Sequence, residues 1–239
     1  MKLGRLGVWY GTDKLDGPQL RDFVRTVENN GYSTLWYPES RGYESMSLAA
    51  WLLSSSQKLV IGSSIANIYA RDSFTAQRAV VSLNALYGSR FVLGLGVSHI
   101  PMVEGLRGHR YDKPLVAMGA YLDGINKFAP AGELPPVVVA ALGPKMLALS
   151  AAKSRGAVPY NVTPKHTAQA AAILSKHGQV AETFIADRTG YKSPYAKGQT
   201  ITEAEPRGAA AQELASLWGN IKSCLHDSMQ KSKEVRKHG

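Results

Sequence analysis

The sequence contains a single cysteine, Cys224, among 239 residues, and it lacks any long apolar run. A lone cysteine forms no intrachain disulfide and supplies no spaced ligand set for zinc, so a disulfide scaffold and a cysteine metal site are excluded. No stretch approaches the ~18 apolar residues of a membrane helix. The apolar run at residues 6–10 is too short for the core of a signal peptide. We therefore expect a cytoplasmic protein with no metal and no membrane partner.

Acidic residues are also scarce, since 18 Asp and Glu stand against 28 Lys and Arg and give a net charge of +10. This excess favours polyanionic partners in general, including phosphorylated cofactors. The basic residues are scattered, however, and only the run KSKEVRK near the C-terminus resembles a nucleic-acid-binding arm. We expect no nucleic-acid partner. The 44% hydrophobic content is too high for a disordered chain.

Short apolar runs alternate with helical patterns up to about residue 178. The runs are too continuous for strands with one exposed face, which is typical of a parallel sheet buried on both faces. Helix starts are predicted at Pro18, Pro114 and Pro144, at Asp72 or Ser73, and at Thr163 with Pro164. This alternation predicts an α/β fold, either an open doubly wound sheet or a (β/α)8 barrel, with the ligand at the carboxyl ends of the strands. The predicted strands begin near Leu6, Thr34, Leu59, Phe91, Val137 and Ala157.

The last 60 residues break this pattern. Residues 179–186 could form one more strand, residues 187–208 are polar and rich in turn formers, and residues 209–229 have the apolar spacing of a helix. We therefore divide the chain into a βα-barrel core, residues 1–178, and an atypical C-terminal tail, residues 179–239.

Two glycine-containing turns follow predicted strands. The segment Gly94-Leu95-Gly96 does not continue as GxGxxG, so the dinucleotide fingerprint is absent, and its glycines serve either packing or the approach of a ligand. Gly143 and Pro144 begin a helix directly after a buried strand. Such a helix start presents backbone N–H groups to a phosphate, although many βα turns share this arrangement.

Several polar residues also lie at predicted strand ends and are candidates for chemistry. His99 could act as a general acid, or it could be structural. Glu39 and Ser40 follow the second strand, where Glu39 could be a buried carboxylate at the active face. The sequence has no nucleophile elbow, Walker loop or paired-histidine metal motif, which disfavours hydrolases and kinases.

Taken together, these segments resemble the luciferase-like flavin and deazaflavin oxidoreductases, in particular the branch that uses coenzyme F420. The resemblance implies a (β/α)8 TIM barrel with the cofactor ring at its carboxyl face, and it removes the open sheet from consideration. It depends on six segments in order: GRLGVWYG, GYSTLWYPES, LVIGSSIANIYARDSFTAQRA, RFVLGLGVSH, VVVAALGPKMLALSA and PYNVTPKHT.

The resemblance also implies where the cofactor binds. The third strand of such proteins ends in a bulge with a non-proline cis peptide bond behind the cofactor ring, which falls here between Ser64 and Ile65, with Asn67 nearby. The cofactor phosphate would lie at Ala141, Leu142 and Gly143. The remaining residues expected at this face are Pro159, Tyr160 and Asn161.

Two departures from the family pattern leave alternatives open. Several F420-dependent relatives have a histidine just after the second strand, where this sequence has Glu39 and Ser40, so His99 is the substitute candidate for proton transfer. The tail matches neither the seventh nor the eighth strand, so the barrel could be incomplete or atypical at its C-terminus.

The leading hypothesis is an F420-dependent oxidoreductase that moves a hydride between the deazaflavin and a small organic substrate, and a homodimer is the assembly that we consider. An FMN-dependent monooxygenase is the closest alternative. A catalytically silent flavin-binding protein or truncated barrel is an alternative of another class.

Overall fold

The computed structural model describes residues 3–4, 6–160, 162–175 and 212. These fall into two compact units, residues 3–160 with 173–175 and residues 162–172 with 212. The predicted strand at 179–186, the boundary at 178 and, apart from Gln212, the predicted helix at 209–229 lie outside the described residues. The strands are β1 (Gly7–Trp9), β2 (Thr34–Tyr37), β3 (Val60–Ser63), β4 (Ala66–Asn67), β5 (Phe91–Gly96) and β6 (Val137–Val139). The α-helices are α1 (Gly17–Asn29), α2 (Ser45–Ser55), α3 (Ser73–Leu86), α4 (Pro114–Asn126), α5 (Pro144–Lys153) and α6 (Pro164–Leu174).

The order of the strands distinguishes the two architectures that the sequence left open. Strands β1, β2, β3, β5 and β6 lie side by side in chain order, and every pair is parallel. A doubly wound sheet reverses its strand order at a switch point, whereas a barrel wall does not. The described sheet is therefore a wall of the barrel type. The predicted sixth strand is confined to a short parallel pairing with β6: Ala157 bridges Val139, whose N–H donates to the Gly156 carbonyl oxygen at 3.0 Å and whose carbonyl oxygen accepts from the Val158 N–H at 2.9 Å.

The predicted third strand is divided into β3 and β4. Gly62 pairs with Val92, and Ala66 pairs with Leu95. The chain therefore moves forward four positions from β3 to β4, but only three positions along β5. One extra residue on one strand is a β-bulge. The peptide bond between Ser64 and Ile65, inside this bulge, is cis, as predicted.

The two glycines of β5 make room for that bulge. A Cβ atom at Gly94 would lie 1.9 Å from the carbonyl oxygen of Ser63, and one at Gly96 would lie 2.5 Å from Cγ1 of Ile65. Both contacts are closer than van der Waals packing permits. Of the two roles proposed for these glycines, the structure accounts for packing.

The core lies between this sheet and the helices. All residues of β3 and β5 are buried, and α1, α3 and α4 bury the apolar faces that the sequence predicted, among them Val24, Val80 and Leu122. Asp72 caps α3 as predicted, because its carboxylate accepts from the Thr75 backbone N–H, and Asp16 forms a capping box with Gln19 at the start of α1. Among the described residues, no helix combines the length and apolarity needed to cross a membrane.

Candidate active site

The bulge between β3 and β4 is held at the carboxyl end of the sheet by both preceding strands. The Ser64 N–H donates to the Tyr37 carbonyl oxygen at 2.7 Å, and the Glu39 N–H donates to the Ile65 carbonyl oxygen at 3.1 Å. The Trp9 indole Nε1–H donates to the Ser64 carbonyl oxygen at 3.1 Å. Ser64 and Ile65 themselves are half-buried. Their backbone is therefore fixed by β1 and β2 while part of their side-chain surface stays accessible.

Aromatic surface lies beside this bulge. The rings of Trp9 and Tyr160 are 6.1 Å apart between centroids and inclined at 51°. Both side chains are well exposed, at 47% and 60%. Pro159 is half-buried, and Asn161 lies outside the described residues. Exposed aromatic faces next to a fixed backbone suit a flat ring ligand.

Glu39 is the centre of a buried ion-pair network. Its side chain is only 4% exposed. One carboxylate oxygen accepts from the Asn67 backbone N–H at 2.9 Å and from Arg71 Nη1 at 3.1 Å. The other accepts from Arg71 Nη2 at 2.8 Å and from Arg107 Nη2 at 3.2 Å. Glu39 is thus the buried carboxylate that the sequence suggested, with every acceptor position of a carboxylate in use.

Arg71 extends this network to the surface and to α4. Its Nη2 also donates to the exposed Glu44 carboxylate at 2.9 Å, and its backbone carbonyl accepts from the Tyr121 hydroxyl at 3.0 Å. Burial raises the pKa of Tyr121 well above its ordinary value, so the phenol remains a donor. Two arginines and two glutamates leave the network without net formal charge.

The other two candidates for proton transfer lie apart from this carboxylate. The Ser40 hydroxyl donates to the Asp13 carboxylate, which also accepts from the Arg41 backbone N–H. His99 is exposed and begins the connection between β5 and α4, and its carbonyl oxygen accepts from the Met102 and Val103 N–H groups. The structure therefore places Glu39 in a closed network, pairs Ser40 with Asp13, and leaves the imidazole of His99 at the surface.

Asn67 ends β4 and contacts the same network. Its backbone N–H donates to Glu39, and its side-chain oxygen accepts from the Tyr69 N–H at 2.9 Å. Its side-chain Nδ2 is buried and has no hydrogen-bond partner among the described residues. A buried amide donor without a partner is uncommon, because burial without a hydrogen bond costs free energy.

The start of α5 forms a second candidate binding feature. Gly143 is the N-cap residue and Pro144 begins the helix, and no side chain caps it among the described residues. A Cβ atom built at Gly143 meets no atom of the described residues within 4 Å. Leu142 before it is exposed, whereas Ala141 is fully buried. An uncapped, open helix N-terminus has the partial positive charge that a phosphate group requires.

Sequence reasoning did not predict the arginines that pair with Glu39. Arg71 and Arg107 are 32 and 68 residues from Glu39 along the chain, so no local spacing connects them. Their only sequence signal is that each follows a predicted strand end. Within the described part of the chain, no cluster of three or more His, Cys, Asp or Glu residues could hold a metal ion.

A cavity of about 270 Å³ lies at the opposite end of the sheet. It is lined by residues that precede strands, such as Ser89 and Pro136, and by Gln77 and Arg155. Parallel α/β folds bind their ligands at the carboxyl ends of the strands, so this cavity is separate from the candidate active site.

Comparison with known proteins adds to this geometry. Residues 1–129 match the family of luciferase-like monooxygenases. A Mycobacterium tuberculosis protein with the provisional name coenzyme F420-dependent oxidoreductase is 29% identical over 200 residues, which are 69% of this chain and 57% of that protein. The chain spans just over half the length of the curated relatives it matches.

Solved structures share the fold. An F420-dependent secondary alcohol dehydrogenase, in complex with an F420-acetone adduct, matches with a TM-score of 0.64 and 11% identity, over 74% of this chain and 64% of that one. The oxygenating constituent of 3,6-diketocamphane monooxygenase from Pseudomonas putida, in complex with FMN, matches with a TM-score of 0.62 and 11% identity, over 91% of this chain and 76% of that one. At these identities the likeness shows the fold alone.

Proposed function

Because the chain belongs to the luciferase-like monooxygenase family, we propose that it is an oxidoreductase that transfers a hydride between coenzyme F420 and a small organic substrate. The observation that carries this proposal is the bulge at Ser64 and Ile65, fixed by Trp9 and by β2 and partly accessible at the carboxyl end of the sheet. The F420-dependent relative supports the choice of cofactor.

The residues present fit a three-ring cofactor with a phosphate. Ser64 and Ile65 would lie behind the ring, and the buried Asn67 Nδ2 supplies a donor that has no partner in the described part of the chain. The open N-terminus of α5 at Gly143 would bind the phosphate. The net charge of +10 is compatible with the polyanionic tail of coenzyme F420.

The bound deazaflavin would supply the hydride chemistry. The protein would bind and orient the cofactor and the substrate, and it would exclude water from the reacting atoms. Trp9 fixes the Ser64 carbonyl, so the surface behind the ring is rigid before binding. Glu39 acts as a positioning residue, because its carboxylate already accepts four hydrogen bonds. Proton transfer stays assigned to His99, whose exposed imidazole lies after β5. Ser40, paired with Asp13, is a weaker candidate.

FMN is the second candidate cofactor, with a monooxygenase reaction. It is favoured by the fold shared with the FMN-bound oxygenating constituent. F420 and FMN share a three-ring system and a phosphate, so the bulge and the helix start would suit either. A catalytically silent barrel would bind one of them without turnover. Homodimer formation stays a prediction.

The phosphate site can be tested with two variants that each introduce one aspartate into α5, at opposite ends of the helix. An aspartate at position 143 would cap α5 with its own carboxylate and repel a phosphate, so Gly143→Asp is expected to fold as well as wild type and to weaken F420 binding at least about tenfold. Ala152→Asp adds the same charge to an exposed position in the last turn of the same helix and should leave the affinity unchanged.

The affinities would be measured by fluorescence titration, with unfolding followed by circular dichroism. Equal F420 affinities for the two variants would refute the phosphate site. A wild-type protein that binds neither F420 nor FMN would refute the proposed function itself.

A further inference from the structure

Three buried polar atoms around the end of β4 have no partner among the residues that the structure describes, and all three are hydrogen-bond donors at neutral pH. They are Asn67 Nδ2, the Tyr69 hydroxyl and Arg107 Nε, and none has a partner among the described residues. Desolvation raises the pKa of Tyr69, so its phenol stays protonated. Most buried polar groups in proteins are paired, so three donors without a partner in the described part of the chain indicate that a further group binds in this region.

These atoms belong to one structural cluster. The Asn67 backbone N–H and Arg107 Nη2 donate to the two oxygens of the same carboxylate, that of Glu39. Tyr69 is two residues beyond Asn67, and its N–H occupies the Asn67 side-chain oxygen. The Tyr69 N–H thus uses the oxygen of the Asn67 side-chain amide, and the Nδ2 of that amide points away from Tyr69 N. The ring of Tyr69 also contacts Tyr111, with the centroids 6.2 Å apart, so the connection that carries Arg107 packs against it.

Glu39 cannot satisfy these donors. A carboxylate has about four acceptor positions, and Glu39 already accepts from Asn67 N, twice from Arg71 and once from Arg107 Nη2. A ligand that completes the cluster must therefore bring its own acceptor oxygen.

The charge balance of the network selects the class of acceptor. Arg71 and Arg107 are matched by Glu39 and Glu44, so the cluster has no net formal charge to pair with a carboxylate or a phosphate. An anion would add an unpaired charge beside the buried Glu39 carboxylate, which is costly in a desolvated site.

We propose that Asn67, Tyr69 and Arg107 form a donor site for a neutral carbonyl-type oxygen of a bound ligand, next to the bulge at Ser64 and Ile65. The inference rests on the proposed function and deepens it, because it names the ligand group that this part of the active site recognises. Two sources share that chemistry: a carbonyl of the cofactor ring, and a carbonyl of the substrate.

The test compares two tyrosine hydroxyls that differ in one respect. Tyr69→Phe removes a hydroxyl without a partner among the described residues, whereas Tyr111→Phe removes one that donates to the Ser98 carbonyl at 3.3 Å. In the absence of ligand, we expect Tyr69→Phe to melt at or above the wild-type temperature and Tyr111→Phe to melt slightly below it. A clearly lowered Tm for Tyr69→Phe would show that the hydroxyl has a partner in the protein, which overturns the inference.

Binding is then measured with two probes. F420 affinity is determined by fluorescence titration, and cyclohexanone affinity by thermal shift in the presence of saturating F420. A three- to tenfold loss of F420 affinity in Tyr69→Phe, with Tyr111→Phe unchanged, places a ring carbonyl at the site. The same loss for cyclohexanone alone places a substrate carbonyl there.

Two other outcomes would contradict the donor site. They also distinguish failure of the donor site from failure of the proposed oxidoreductase function. No loss in either arm, in a wild type that binds F420, overturns the donor site and leaves the proposed function standing. A wild type that binds neither F420 nor FMN overturns both.

Discussion

Replacement of Glu39 by glutamine tests whether the ion-pair network holds the active face together. Glu39→Gln keeps the shape of the side chain but leaves Arg71 and Arg107 without their shared negative partner. Removal of one partner from a buried ion pair costs about 3–5 kcal/mol, because the other charge stays buried. Arg71 keeps Glu44, which is 51% exposed, so we expect a loss of about 2–4 kcal/mol.

An ion pair at the protein surface, with a similar distance between nitrogen and oxygen, provides the control. Lys153 Nζ lies 2.6 Å from the Asp123 carboxylate, compared with 2.8 Å between Arg71 and Glu39, but these side chains are 35% and 61% exposed instead of 7% and 4%. Solvent screens an exposed pair, so Asp123→Asn should cost less than about 1 kcal/mol.

The assay is urea unfolding of the two variants and wild type, followed by circular dichroism, with the free energies compared at equal m-values. A cost for Glu39→Gln no greater than that for Asp123→Asn would show that burial does not strengthen the ion pairs of Glu39.

Substitutions at Gly94, Glu28 and His99 test three other parts of the molecule. Gly94→Ala should destabilise the protein by about 3 kcal/mol, because its Cβ would overlap the Ser63 carbonyl oxygen. Gly143→Ala should cost less than about 1 kcal/mol, because the only penalty there is that alanine is a poorer N-cap than glycine. Equal Tm values for the two variants would contradict this expectation. Although desolvation raises the pKa of Glu28, the backbone N–H groups of the three residues just before β3 donate to its carboxylate, outweigh the desolvation and lower that pKa below 4.5. This stabilisation is present above pH 4.5 and lost as the pH falls through the lowered pKa, so Glu28→Gln should flatten the acid limb of a Tm–pH profile, and an unchanged limb would contradict the assignment. If His99 donates the proton, His99→Gln should lower kcat about 100-fold without changing F420 affinity, and unchanged turnover would reassign the role.

Local signals in the sequence predicted the elements well. Prolines in first turns and aspartate caps act within four residues, so the starts of α3, α4 and α5 could be predicted without tertiary information. Strand order depends on pairing between distant parts of the chain, so local signals could not predict it. The same holds at Ala157, where the apolar run predicted a longer strand than the pairing with Val139 forms.

The candidate site was predicted less completely. Family resemblance, and not periodicity, predicted the bulge at Ser64 and Ile65. A bulge is a difference in residue count between two paired strands, so it cannot be predicted from the sequence of either strand alone. The pairing of Glu39 with Arg71 and Arg107 needed the fold, since ion pairs follow distance in space. The glycines of β5 had two explanations until the structure showed what a Cβ atom would meet.

Cofactor binding is measured first, by titrating the purified wild-type protein in parallel with F420 and FMN and following fluorescence to saturation. We expect one saturable site that binds F420 more tightly than FMN, because the net charge of +10 favours the polyanionic tail of F420. Saturable binding of FMN alone would contradict the choice of cofactor, and a folded protein that binds neither would contradict the oxidoreductase assignment.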